Sequence, residues 1–239
     1  MKSIRSFSFF LLVLTGSIVF TACNLVEKPE STPVLITFNP NLTYGSVTDA
    51  DGNIYKTITI GTQTWMAENL RTTKYRNGVD IPNVTDNTAW KSLTTGAWKN
   101  YNAASNSSKF GKLYNWYAVT DSRNIAPTGW HLPTAAEWTT LITYLGGESV
   151  AGGKLKEIGT DNWNNPNTGA TNESGFTALP GGCFDGDTFY NIGGYSYWWS
   201  STLYNTYFAM CIYISFDISY AHSDLSYKQN GLSVRCVKD

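Results

Sequence analysis

The stretch Gly129–Trp138 reads GWHLPTAAEW, and it carries the clearest helix start in the chain. Thr134 is a favourable N-cap residue, and Glu137 lies three positions later. That spacing predicts a capping box. The Thr hydroxyl accepts from the Glu137 backbone N–H, and the Glu carboxylate reaches back to the N–H of Thr134. A carboxylate in the first turn also meets the positive end of the helix dipole. Trp138, Leu141, Ile142 and Leu145 recur at helical spacing, and Gly146 and Gly147 supply a stop. The pattern predicts a helix over 134–146. His131, one of only two histidines, sits six residues before Glu137. Such a pair is also raw material for acid–base or metal chemistry. Because Glu137 already has a structural role and His131 lies in the turn entering the helix, both read as scaffold.

Downstream the period changes from helical to alternating. In FAMCIYISF, Phe208, Met210, Ile212, Ile214 and Phe216 share one face, and Ala209, Cys211, Tyr213 and Ser215 share the other. In the terminal GLSVRCVKD, Leu232, Val234 and Cys236 share a face. Upstream, DADGN is a turn signal between apolar segments that include Ile54, Ile58 and Ile60. VLITF suggests a short strand, DNTAWKSL a helical turn, KNYNAASNSSKFG a polar loop and KLYNWYAVTDS a short helix. The expected class is α+β: a twisted, mostly antiparallel sheet, one main helix over 134–146 and shorter helical pieces.

The chain begins with Lys2 and Arg5, an apolar run from Phe7 to Phe20, and TAC. A basic start, an apolar core and a small residue before the cut read as a secretory signal over 1–22. The run is shorter than the roughly 20 apolar residues that span a bilayer. FTAC resembles the lipobox of bacterial lipoproteins, which makes Cys23 the expected lipidation site and a membrane anchor. Residues 23–45, with three prolines, read as the lipidated Cys and a tether, and 46–239 as one domain.

Without the first 22 residues the basic count falls from 17 to 15 against 18 acids, a net charge of about −3. With no basic patch, nucleic acid is not an expected partner. Charged residues make up 15% of the chain and aromatic residues 15%, against a usual charged fraction of about 25%. That surface chemistry suits a secreted binding domain. Cys183, Cys211 and Cys236 allow one intramolecular disulfide at most. No metal site is expected. Asp49-x-Asp51-Gly52-Asn53 mimics the start of a calcium loop, but Ile60 stands where the closing Glu belongs. Asn165-Pro166-Asn167 and Asp185–Asp187 read as a polar loop and a hairpin turn. No cofactor is expected.

Six motifs occur in order: VTDADGNIYKTITIGTQTWMAENLRTTKY, LYNWYAV, GWHLPTAAEW, GFTALPGG, YWWSST and GLSVRCV. Together they resemble the Fibrobacter succinogenes major paralogous domain, over about 46–239. That family is similar in turn to the formylglycine-generating-enzyme-like branch of the C-type-lectin-like fold. The resemblance implies a compact lectin-like domain with neighbouring termini, carried by envelope lipoproteins of Bacteroidota at the outer membrane. It implies no activity. The enzyme branch binds copper through a close cysteine pair, which Cys211 and Cys236 do not reproduce, so no catalytic residue is expected. The alternatives are an enzyme of that branch and a structural envelope protein without a small ligand.

The functional expectation falls on Tyr195–Tyr227. This stretch holds seven Tyr and seven Ser, no Lys, Arg or Glu, and only Asp217 and Asp224 as charges. Tyr gives large contact area with few torsions to freeze, and Ser adapts its hydrogen bonds, as in antibody paratopes. The YWWSST portion reads as scaffold. Tyr204, Asn205, Tyr207, Tyr213, Ser215, Asp217, Tyr220, His222 and Asp224 are the expected contact residues for an extracellular glycan or protein.

Overall fold

The computed structural model describes residues 36–239 apart from position 103. The expected signal segment, Cys23 and residues 24–35 of the tether lie outside the described residues. Strands β1 (Gly45–Thr48) and β2 (Ile54–Ile60) flank the DADGN turn, and β3 (Gln63–Met66) follows. Next come α1 (Asn87–Lys91), β4 (Trp98–Lys99), α2 (Ala104–Phe110), β5 (Leu113–Tyr114) and α3 (Trp116–Val119). β6 (Trp130–His131) leads into α4 (Ala135–Tyr144), and α5 (Glu148–Leu155) comes after it. The rest is β7 (Cys183–Phe184), β8 (Phe189–Tyr190), β9 (Tyr195–Leu203), β10 (Phe208–Ser215), β11 (Ala221–Tyr227) and β12 (Val237–Lys238).

The fold is mixed α and β, and every pairing between these strands is antiparallel. The strands do not form the single sheet expected. They form a five-stranded sheet in the order β1-β2-β3-β12-β6, a three-stranded sheet β11-β10-β9, and the pairs β4-β5 and β7-β8. The last strand thus lies inside the sheet that the first strands begin.

The local signals give the elements they predict. Thr134 caps α4: its hydroxyl accepts from the Glu137 N–H at 3.2 Å, and the Glu137 carboxylate accepts from the Thr134 N–H at 2.7 Å. The Asp49 carboxylate closes the DADGN turn by accepting from the N–H groups of Asp51 and Asn53, each at 2.9 Å, and from the Tyr55 hydroxyl. Asp51 turns instead to Thr72 and Thr73. The two acids therefore serve different partners. DNTAWKSL gives α1, with Asp86 as its cap.

Four expectations change. The polar loop KNYNAASNSSKFG contains α2. KLYNWYAVTDS is a strand followed by one helical turn capped by Asn115. In VLITF, residues 36–38 form no strand, and 34–35 lie outside the described residues. Helix α5 was not expected, because Gly152 and Gly153 sit in its centre and disfavour helix by about 1 kcal/mol each. Tertiary packing requires them there. A Cβ on Gly152 would meet the Tyr220 carbonyl oxygen at 2.1 Å, and one on Gly153 the Gly169 carbonyl oxygen at 2.3 Å.

The interior is divided into three aromatic-rich clusters. The two larger ones lie on opposite sides of β10. Ala209 and Cys211 pack with Trp199 in one, and Ile212 and Ile214 pack with Trp198 in the other. The alternation in FAMCIYISF is thus real, but both faces are buried, and Phe208 and Met210 on the expected core face are half-buried. The terminal segment behaves likewise. Leu232, Val234 and Cys236 enter the first cluster, while Ser233, Arg235 and Val237 are also buried. Isolated bridges to Tyr114, Trp198 and Phe184 hold this segment up to β12.

Candidate functional site

The three-stranded sheet positions the candidate site. Its register sets Tyr213 of β10 opposite Tyr197 of β9 and His222 of β11. Side chains two residues apart share a face, so Tyr195 joins Tyr197. Five rings follow one another: Tyr195 to Tyr197 at 5.9 Å between centroids, Tyr197 to Tyr213 at 5.8 Å, Tyr213 to His222 at 5.1 Å, and His222 to Tyr220 at 5.2 Å. The first and last pairs are nearly parallel, at 11° and 6°. Farther along this face, Cys211 and Ala209 are covered by the first core cluster. The row occupies the end that the core leaves uncovered. Tyr220 is exposed, and the other four rings are partly exposed.

The row is polar at its edges. Partial burial pushes the Tyr197 hydroxyl up to about 12, and the Tyr213 hydroxyl is also raised, by burial and by Asp224. Both hydroxyls therefore stay protonated and both donate and accept. The Asn191 amide donates to the Tyr197 hydroxyl at 3.2 Å.

The nine expected contact residues do not form one surface. Tyr213, Tyr220 and His222 lie in the row, and exposed Asp224 lies on the same face, opposite Cys211. Tyr204 and Tyr207 are exposed at the tip of the β9–β10 hairpin. Five residues of β10 separate Phe208 beside that tip from Tyr213, roughly 16 Å of strand. Asn205 shapes the tip, with its side-chain oxygen accepting from the N–H groups of Tyr207 and Phe208 at 2.8 and 2.9 Å. Ser215 is buried and donates to the carboxylate of exposed Asp217. Its carbonyl accepts from Lys156 Nζ at 2.9 Å. Tyr195 and Tyr197 complete the row and were not among the nine. The signal that could have found them was the Tyr-x-Tyr spacing just before the two tryptophans. Trp198 and Trp199 are buried, as scaffold residues should be.

His131 gains the partners that the sequence left open. Its Nε2 lies 2.7 Å from a Glu137 oxygen and its Nδ1 2.7 Å from an Asp239 oxygen. Both ring nitrogens are committed. Burial alone would lower the imidazole, but the two carboxylates outweigh it and raise its pKa. Glu137 would be raised by burial, yet the Thr134 N–H and His131 hold it low. The contacts of His131 with Asp239 and Glu137 tie the end of the described chain and α4 to β6. Since the folded pKa lies above the unfolded value near 6.5, this stabilisation is fully present below pH 6.5. It is lost as pH rises through the raised value. The groups are partly exposed, so the gain is about 1 kcal/mol or less. Urea denaturation should show His131→Gln losing more stability at pH 5.5 than at pH 8.5. A loss that grows with pH would contradict the ion-pair assignment.

Elsewhere, polar motifs have structural partners. Asn167 donates to the carbonyls of Glu157 and Gly159 at 2.9 and 2.7 Å. Asp185 accepts from the N–H groups of Asp187 and Thr188 within the β7–β8 turn. Cys183, Cys211 and Cys236 are free. Burial raises all three thiols, Cys183 to about 12, which disfavours the reactive thiolate.

No curated protein and no solved structure matches the chain. The model of the Fibrobacter succinogenes major domain matches residues 58–238. That region runs from the middle of β2 through β12 and contains the α4 capping box, every buried member of the two large core clusters except Tyr55, and the aromatic row. The chain belongs to the Fibrobacter succinogenes major domain family.

Proposed function

We propose that this protein is a cell-envelope binding module of C-type-lectin-like fold, anchored to the outer membrane through a lipid on Cys23, that recognises an extracellular glycan. The row Tyr195–Tyr197–Tyr213–His222–Tyr220 carries the reading. Pyranose rings present C–H faces that stack on aromatic rings, and hydroxyls that pair with Tyr and His edges. Five successive rings match a chain of sugars better than a single small molecule. The lectin-like assignment draws support from the first and last strands sharing one sheet. The reading is of a binder and not a catalyst, and it invokes no cofactor.

The test is a glycan array with purified protein, followed by titration of the best hit. Tyr197→Ala and Tyr213→Ala should each weaken binding roughly tenfold or more, the effect of removing an interface hot spot. Tyr204→Ala and Tyr207→Ala should leave glycan binding unchanged. The opposite pattern would move the site to the hairpin tip. That outcome favours a second reading, a protein partner, which the exposed cluster of Leu203, Tyr204 and Tyr207 suggests.

A further inference from the structure

Behind the β7–β8 hairpin lies a cavity of about 320 Å³, built around Lys99. This volume sits at the small end of ligand pockets and suits one ring-sized occupant. Lys99 is 5% exposed. Its Nζ donates to the Thr85 carbonyl at 2.8 Å and the Asn87 side-chain oxygen at 2.7 Å. An ammonium has three protons. Beyond those two acceptors Nζ faces the Phe184 ring, 4.2 Å from its centroid, and the Trp90 ring, at 5.7 Å. Among the described residues Lys99 makes no ion pair. The neighbouring acids are engaged elsewhere: Asp86 caps α1 through the Ala89 N–H at 2.7 Å, and Asp187 pairs with Lys91. Burial lowers the Lys99 pKa, with Asp86 opposing.

A cation taken out of water without a carboxylate is costly unless something compensates it. Two neutral acceptors and two ring faces compensate only in part. The Asn87 amide donates to the Asp187 carbonyl at 2.7 Å, which fixes its oxygen toward Lys99. The ammonium is therefore held in place. Phe184 and Phe189 form an apolar wall, and exposed Asn102 and Thr188 stand at the mouth. The lining carboxylate of Asp187 is paired with Lys91, so a wall, one cation without an anionic partner and neutral hydrogen-bonding groups remain to suit a ring that carries one negative charge. Asp86 and Asp187 nearby would repel a doubly charged phosphate.

We infer that this cavity is a binding subsite for a carboxylate-bearing sugar of the uronic-acid type, with the carboxylate on Lys99 Nζ and the ring against Phe184 and Phe189. A charge-assisted bond there supplies the anionic partner that Lys99 lacks among the described residues. The inference rests on the glycan-binding reading only in taking the ligand to be a sugar, because none of the cavity residues belongs to the aromatic row.

The experiment is calorimetric titration of the intact protein with D-glucuronate, D-glucose and inorganic sulfate. Glucuronate should bind at least tenfold more tightly than either. Lys99→Met should abolish that binding. The exposed double variant Asn102→Ala/Thr188→Ala should weaken it at least threefold, which keeps the test decisive if Lys99→Met does not fold. Tyr213→Ala should leave it unchanged. Equal binding of glucose would show that the ammonium is not read, and equal binding of sulfate would reduce the site to a general anion hole. Unaltered binding in the Asn102/Thr188 variant would place the ligand elsewhere. If glucuronate fails while array glycans still depend on Tyr197 and Tyr213, this subsite falls and the aromatic row stands.

Discussion

Replacing Arg235 by methionine is expected to destabilise the protein by about 3–5 kcal/mol, seen as a fall of roughly 10 °C in Tm. Arg235 is fully buried with no carboxylate partner among the described residues. Its guanidinium donates instead to the Asn69 side chain at 2.8 Å, the Thr177 carbonyl at 2.9 Å, the Met66 carbonyl at 3.4 Å and the Phe176 carbonyl. It also stacks over Phe176 at 4.1 Å. Burial lowers its pKa to about 9, with weak opposition from Glu68 and Tyr44, so it is charged at neutral pH. A buried ion pair can often be exchanged for apolar side chains at little cost. Here the acceptors are mostly backbone carbonyls, which no substitution at 235 removes, and methionine leaves them unpaired. Lysine should rescue poorly, because a point charge cannot reproduce the planar fork. A methionine variant that loses less than about 1 kcal/mol in chemical denaturation would show that the carbonyls find other donors.

Trp138→Ala should cost a similar amount, about 3–5 kcal/mol. The indole is fully buried, 4.6 Å from the Trp65 ring and 6.0 Å from both Phe176 and Trp198. Alanine would leave a cavity among three aromatic residues, Trp65, Phe176 and Trp198. Phenylalanine should be far milder, below about 1.5 kcal/mol. The indole N–H has no hydrogen-bond partner among the described residues, so its removal offsets part of the lost packing. Denaturation of both variants separates the two effects. A phenylalanine variant as unstable as alanine would mean that the indole N–H is satisfied after all.

Both residues sit in stretches whose local structure is legible. The α4 capping box depends on atoms within three residues of one another, so spacing alone specifies it. The same holds for the Asp49 turn and the Asp86 cap on α1. Helix α5 depends on how closely it approaches the 219–220 loop and Gly169, and that approach is what its two glycines permit. Without the partner backbone, the glycines read as a break. The FAMCIYISF alternation identifies a strand but not what covers each side, and at β10 core packs against both. For the proposed binding face, composition singled out the stretch that forms the three-stranded sheet. It could not sort nine candidates into a row, a hairpin tip and a buried Ser215, because strand register decides which side chains become neighbours.

The sequence by itself determined the start and main body of α4, the turns, the α+β class and the family, since these rest on short spacings and ordered motifs. Only the tertiary structure decided the rest. It brought Tyr195 and Tyr197 beside Tyr213, His222 and Tyr220, gave His131 its two carboxylates, and placed the Lys99 ammonium at a cavity with no ion-pair partner among the described residues. Each of those arrangements needs residues distant in sequence, such as Tyr197 and Tyr213, His131 and Asp239, or Lys99 and Phe184, brought together through strand pairing and burial that no local pattern encodes.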